Sequence, residues 1–458
     1  MKRVKFKIIM AIMVAGVISP GNGLPAADYY VEQNKPGASD SNPGTEALPW
    51  LTITRAAQTV AAGDTVHVKT GRYTDPDSDS DKAFSPARSG TNDQPVIFRS
   101  EPPLAAVVIS KDHTSPAFKI YNVDYVTVDG FKIEGQLGTS HANHATLKNC
   151  EVIYGAWGVN DTSLNFGIVV HAGNYNLVQN NYVHDMTDSG NHGHNTANIM
   201  VIASASGGAE YNVIEKNTAD GGGGTVYSSF GQKGGNINHN VWRNNMAMNS
   251  TAGFLGMGST DGLAYSDTNT CCNNVIYNCT FALQFDHNVR YWQVYNNSAN
   301  QCENFLAAND TTSSYNNLWN NISYGNNTGV ALRNGGYPNP LPVSSLFDYA
   351  DYNDFYNHTN WYYREKVPTL SYSLSQFQSI EGFDLHSITV NPLFVSSGGI
   401  NPMDYKLQAG STALVSGRGG SYSTVMGAYI TGDEAIGYAA PTQDDTTPPA
   451  EPDELIVK

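Results

Sequence analysis

Side chains able to bind a metal or move a proton crowd most closely in VHDMTDSGNHGHN (183–195). His184, Asp185, Asp188, His192 and His194 fall within eleven positions there, with His171 a short way upstream. His192-x-His194 on an extended segment sends both rings to one side. A carboxylate within reach, Asp188 first, would orient the rings as metal ligands or tune one of them as a base. A divalent cation is the cofactor class this arrangement suggests, while calcium stays open on the acidic balance of the whole chain rather than on these His. A solvated loop of Gly, His and Asp has the same composition, so both readings stand.

A second set is spread along the chain at repeat spacing. Segments 167–173, 198–204, 225–231, 253–259, 282–288, 305–310 and 329–335 all read as short strands. Aligned by their starts, they bring His171, Ser229, Asp286, Asn309 and Arg333 into or near one outward row, with Lys233, His287 and Arg290 on adjoining turns. Such a row is a groove able to track a linear polymer. β-Elimination on a uronic-acid glycan needs a cation at the carboxylate, a base for the C5 proton and an acid for the leaving oxygen. Lys233, Arg290, His171, Asp286 and Arg333 are the catalytic candidates; Asn309, His287 and Trp361 are those for binding substrate. Hydrolysis by paired carboxylates, Asp286 with Asp310, is the alternative reaction. A non-catalytic glycan-binding or surface protein is the alternative outside enzymes.

Some element must repeat to build such a row. Nine segments from TVDGFK (127–132) to FYNHTN (355–360) share an apolar residue, a spacer and a polar residue, at intervals of 18 to 37 residues. The polar position holds Asn149, Asn180, Asn244, Asn278, Asn296, Asn320 and Asn357, with Asp129 and Lys216 as exceptions. Alternating β-type patterns broken by Gly, Asn and Asp surround each segment, and none is long enough for a helix. The spacing predicts stacked coils of a parallel β-helix, with these Asn amides bonded in a ladder at one bend. Asn also tolerates the left-handed backbone of a sharp bend.

Composition agrees with a narrow core and many turns: 40% hydrophobic residues, 44 Gly, and more Tyr (27) than Phe (16). A formal charge of −16 becomes four units more negative once a leader carrying Lys2, Arg3, Lys5 and Lys7 is removed. That balance argues against nucleic acid or an anionic membrane as partner. The basic start, the apolar run Ile8 to Ile18 and the small residues after it predict a signal peptide over 1–26, and with it secretion or a periplasmic location. No later run is long enough to span a membrane, and a monomer is expected. Five Cys (150, 271, 272, 279, 302) cannot all pair internally. Buried stacked thiols and a disulfide involving Cys271 or Cys272 are the two readings.

Ser41–Thr45 (SNPGT), Ala56-Ala57, Gly63–Val66 (GDTV), Gly71 and Tyr73 closely resemble the N-terminal cap of secreted right-handed parallel β-helix proteins of the pectin-lyase-like type. DYNDFYN (351–357), HSITVNPLFV (386–395), DYKLQAGSTAL (404–414) and MGAY (426–429) resemble the far end of the same families. The resemblance implies an all-β, right-handed parallel β-helix with an N-terminal capping helix, and an extracellular polysaccharide as partner. The expected layout is cap and first coils over 27–116, β-helix over 117–437 with a Tyr/Trp-rich insertion at 335–385, and an acidic Pro-rich tail at 438–458. Residues 229–254 are similar to the calcium-site coil of family 9 pectate lyases. Lys233, Gly235-Asn236, Asn249-Ser250 and Gly253-Phe254 match, but Thr251, Ala252 and Ser229 stand where that family has Asp. A lyase is therefore the leading expectation, without that family's calcium ligands.

Overall fold

The computed structural model describes residues 26–441 apart from 80–81, 113–114, 154–164, 187–195, 222–223, 260–261, 310–311, 326, 333–342 and 365–369. Each coil contributes short strands to three parallel columns. The first column includes Val126–Asp129, Thr146–Lys148, Leu177–Gln179, Val213–Glu215, Val241–Arg243, Thr270–Cys272, Gln293–Tyr295 and Asn316–Trp319. The second runs from Lys132–Glu134 to Asp354–Tyr356. The third runs from Phe118–Tyr121 through Asn165–His171, Thr196–Ala203, Thr225–Gly231 and the ends of Met246–Met257 and Val275–Asp286 to Asn304–Ala308 and Thr328–Leu332. Between the third column and the next first-column strand, Ala209–Glu210, Ile237–Asn238, Ser266–Asp267 and Val289–Arg290 add a small fourth sheet. The chain is an all-β parallel β-helix.

Asn builds the bends, and at the first repeat positions the expected ladder forms: Asn180 Nδ2 donates to Asn149 Oδ1 (2.7 Å) and Asn149 Nδ2 to Asp129 Oδ1 (2.8 Å). The longer ladder lies one residue further on. Leaving the first column, a residue with positive φ (Asn180, Lys216, Asn244, Asn273, Asn296, Asn320) turns the backbone. The residue after it then points its side chain into the bend. The buried ladder is accordingly Asn181, Asn217, Asn245, Asn274, Asn297, Asn321 and Asn353, all fully buried. Asn217 shows the pattern: its backbone N–H and its Nδ2 both donate to Oδ1 of Asn245 (3.0 and 3.1 Å), and Nδ2 also donates to the Val178 carbonyl (2.9 Å). A second ladder, Asn176–Asn212–Asn240–Asn269, lines the bend into the first column. Asn278 and Asn357 belong to other bends, following Val275–Tyr277 and Asp354–Tyr356.

The left-handed Asn side chains face outward and hold the returning C-terminal segment. Asn320 accepts from the Arg418 backbone N–H (2.8 Å) and donates to the Ser423 carbonyl (2.8 Å). Asn296 donates to Val425 and Gly427, and Asn273 to Ala428. Asn180 exchanges two hydrogen bonds with Ala439 (2.7 and 2.9 Å). Residues 418–439 thus run back along the outside, and Tyr438 and Ala439, expected in the tail, are docked on the wall.

At the start, helix α1 (Ile53–Thr59) takes its N-cap from Thr52 and buries Ile53, Ala56 and Ala57 in the main core. At the far end the stretch expected as an insertion supplies a regular coil, Phe347–Asp351, Asp354–Tyr356 and Asn360–Arg364. Helix α2 (Leu374–Glu381), closed by a Ser373/Gln376 capping box and by Gly382 at φ 73, sets Phe377 against Tyr362. Both ends of the stacked core meet apolar side chains rather than water.

Candidate functional site

Side chains alternate across a strand, so the register of the third column decides which residues share its outer face. One outward row is His171, Ile202, Phe230, Met257 and Asp286. The next is Lys119, Gly138, Val169, Met200, Ser228, Leu255, Gln284 and Ala307. Phe166, Val169, Ala197, Met200 and Ile202 form an apolar cluster of their own, apart from the main core. Among the described side chains of these two rows the one cation is Lys119, buried at the first coil.

Asp286 is the carboxylate of this face. It is 5% exposed, and Gln284, two positions back and fully buried, donates Nε2–H to its Oδ2 at 3.2 Å. His287 and Asn288 follow with φ of 50° and 58°, so the chain turns sharply at the strand end and leaves His287 half-buried beside it. Gly258 makes that turn fit: its N–H donates to the His287 carbonyl at 2.6 Å, and a Cβ there would meet the same oxygen at 2.6 Å. One coil on, half-buried Asn309 donates its backbone N–H to the Phe285 carbonyl at 3.0 Å. Asp286, Gln284, His287 and Asn309 therefore meet at the C-terminal ends of two neighbouring strands.

His171 shares a row with Asp286 but lies four strands away, roughly 19 Å at the usual strand spacing. Its ring belongs to a closed circuit of five side chains. Ser140 Oγ meets His171 Nδ1 (3.2 Å), His171 Nε2 meets Ser204 Oγ (3.1 Å), and Ser204 meets Ser206 (2.7 Å). Ser206 then meets His141 Nε2 (2.9 Å), and His141 Nδ1 returns to Ser140 (3.1 Å). A neutral imidazole has one donor and one acceptor, and each hydroxyl can do both, so every contact in the circuit can be satisfied at once. Ser140, His141, Ser204 and Ser206 escape sequence reasoning because three of the five residues are Ser and none carries a metal-type spacing.

The other candidates scatter. Ser229, expected in the groove, faces inward, fully buried with its Oγ 2.9 Å from that of Ser266, because the strand's alternation puts it in the row of Val201 and Phe285. Arg290 is drawn into the small sheet. Its Nε donates to Asp267 Oδ2 at 2.8 Å, and its guanidinium lies 3.7 Å from the Tyr265 ring centroid. Lys233 is exposed on the turn after Thr225–Gly231, at φ 48. Trp361, expected to stack on sugar, is 3% exposed and packs edge-on to Phe355 at 4.0 Å in the core, so its faces are not open to a ligand. Arg333, Asp310 and the metal candidates Asp188, His192 and His194 lie outside the described residues. Among the described residues no three His, Cys, Asp or Glu side chains come together to hold a metal ion. No described helix is long and apolar enough to cross a membrane.

No family model matches the chain. A 115-residue stretch is 28% identical to the uncharacterized protein YwoF of Bacillus subtilis (strain 168), covering 24% of this chain and 22% of that one. The chain thus spans about a fifth of the length of the curated relative it matches. Pectate lyase Pel9A superposes with a TM-score of 0.60 at 16% identity, over 88% of this chain and 96% of that one. A GH136 lacto-N-biosidase from Eubacterium ramulus gives 0.48 at 11% identity, over 80% and 67%. The likeness to Pel9A is one of fold.

Proposed function

We propose that this chain is an exported, polysaccharide-active β-helix protein that lays a glycan across the C-terminal ends of the third-column strands, where Phe230, Met257, His287 and Asn309 are partly exposed, with Asp286 as the group that meets the sugar. Asp286 itself carries the reading. A carboxylate withdrawn from water costs free energy, and on the outer side of a sheet no core packing requires one. Here it is nearly buried, held by Gln284, and flanked in register by Met257. Backbone turns place His287 and Asn309 around it as further polar contacts for a sugar.

The first reading of the reaction is β-elimination on a uronate glycan, the chemistry named for the similarly folded Pel9A. Lys233 supports it as an exposed amine on the turn after Phe230, two strands from Asp286 in register, able to act as base or to meet the substrate carboxylate. Arg290, committed to Asp267 and Tyr265, does not. No step is assigned to calcium, since the described residues bring no ligand set together. Hydrolysis or retention of an uncharged glycan is the second reading, favoured by the apolar side chains Met257, Phe230 and Ile202 that continue Asp286's row. A panel of polysaccharides, followed both by ultraviolet absorbance of unsaturated uronate and by reducing ends, separates the readings. Both signals mark elimination, reducing ends alone mark hydrolysis, and retention without either marks a binder. Asp286→Asn should lower turnover by about 10²-fold or more, the scale of a lost proton-transfer group, with Tm nearly unchanged. Wild-type turnover by that variant on every accepted glycan would remove Asp286 from the reaction.

A further inference from the structure

Cys279 and Cys302 stand opposite each other on consecutive coils. Tyr277 pairs with Asn300 two residues before them, and Phe281 pairs with Asn304 two residues after. The same offset therefore holds across the intervening bend, where Glu303 N–H donates to the Cys279 carbonyl at 3.2 Å. The two bends share a conformation: each thiol donates to the carbonyl two residues before it, Cys279 to Tyr277 (3.5 Å) and Cys302 to Asn300 (3.6 Å). Neighbouring strands lie about 4.8 Å apart, inside the range of Cα separations that a disulfide bridges without backbone movement. Both thiols are buried.

We propose that Cys279 and Cys302 are a disulfide-forming pair that staples the two coils carrying the candidate site. The strand segments that follow them lead to Gln284, Asp286 and His287 on one coil and to Asn309 on the next. The remaining thiols have no comparable partner among the described residues. Cys271 and Cys272 are consecutive on one strand and point to opposite faces, and Cys150 lies several coils away. The oxidant is a small disulfide such as oxidised glutathione. One cysteine thiolate attacks it and releases the first glutathione, and the second cysteine attacks the mixed disulfide and releases the other. The two cysteine protons end on the two glutathione thiols, so the exchange balances.

The test uses the full chain refolded with oxidised glutathione and blocked with maleimide in denaturant before and after reduction. Peptide mapping should find one crosslink, 279 to 302, and three thiols (150, 271 and 272) that label without reduction. Cys302→Ser should abolish the crosslink, leave Cys279 to label as a fourth free thiol, and retain the wild-type circular dichroism. The oxidised chain should also melt several degrees higher than the reduced one, a difference that Cys302→Ser removes. Five free thiols after refolding, or a crosslink joining any other pair, overturns the proposal.

Discussion

Asn245 and Asn244 are neighbours of the same type, and the bend geometry gives them opposite roles. Asn245 Oδ1 accepts from the backbone N–H and the Nδ2 of Asn217, while its own Nδ2 donates to the Ile214 carbonyl at 2.8 Å and to Asn274 Oδ1 at 3.1 Å. Asn245→Ala therefore leaves two donors of Asn217 without partners, in a place fully shielded from water. At about 1–3 kcal/mol for each buried group left unpaired, and with some relaxation, the cost should be about 2–5 kcal/mol. Asn244 is left-handed (φ 57) and partly exposed, and Asn244→Gly keeps that backbone at no steric cost. It should change stability by less than about 0.5 kcal/mol. Urea unfolding followed by circular dichroism measures both. Equal costs for the two variants, or an Asn245→Ala midpoint within error of wild type, would refute the assignment of the buried ladder to Asn245 rather than Asn244.

Three other outcomes follow from the structure. Burial raises the Asp354 carboxyl to about 8 and the Asp384 carboxyl to about 6, so the folded chain holds these protons to higher pH than the unfolded one. Stability should fall as pH rises from about 4 to about 8 and then level off; Asp354→Asn should flatten the upper part of that fall, and an unchanged slope of urea midpoint against pH would contradict the assignment. Under the β-elimination reading, Lys233→Ala should lower turnover by about 10²-fold without moving Tm, whereas Arg290→Ala should cost about 1 kcal/mol of stability through Asp267 and Tyr265; the reverse pattern would exchange their roles. His171→Ala should cost about 1 kcal/mol through the Ser140–Ser204 circuit and leave turnover on the best glycan unchanged, while a large loss of turnover at wild-type stability would bring the circuit into the reaction.

The repeat was legible because a β-helix writes one bend per coil into the chain, and the recurring Asn marks that bend. The expected ladder holds over Asp129, Asn149 and Asn180, but the longer buried one lies one residue on, since spacing alone does not say which of two adjacent Asn is left-handed and which turns its amide inward. The same loss of side-chain direction put Ser229 outside and made Trp361 a platform: a one-residue change of register moves a side chain to the opposite face. Asp286, His287 and Asn309 could be brought together from strand starts because their coils have nearly equal lengths. The pairing of Arg290 with Asp267, the His171 circuit and the docking of 418–439 rest on contacts between distant parts of the chain. No local pattern encodes those contacts.

The most direct test of the glycan-bearing face is a crystal structure of Asp286→Asn soaked with an oligosaccharide of whichever glycan the panel selects. The sugar chain should lie along the third column, crossing the strand ends that carry Phe230, Met257 and Asp286, with one ring in contact with position 286 and Asn309. Sugar bound on another face of the coil stack, with the third column bare, would contradict the account.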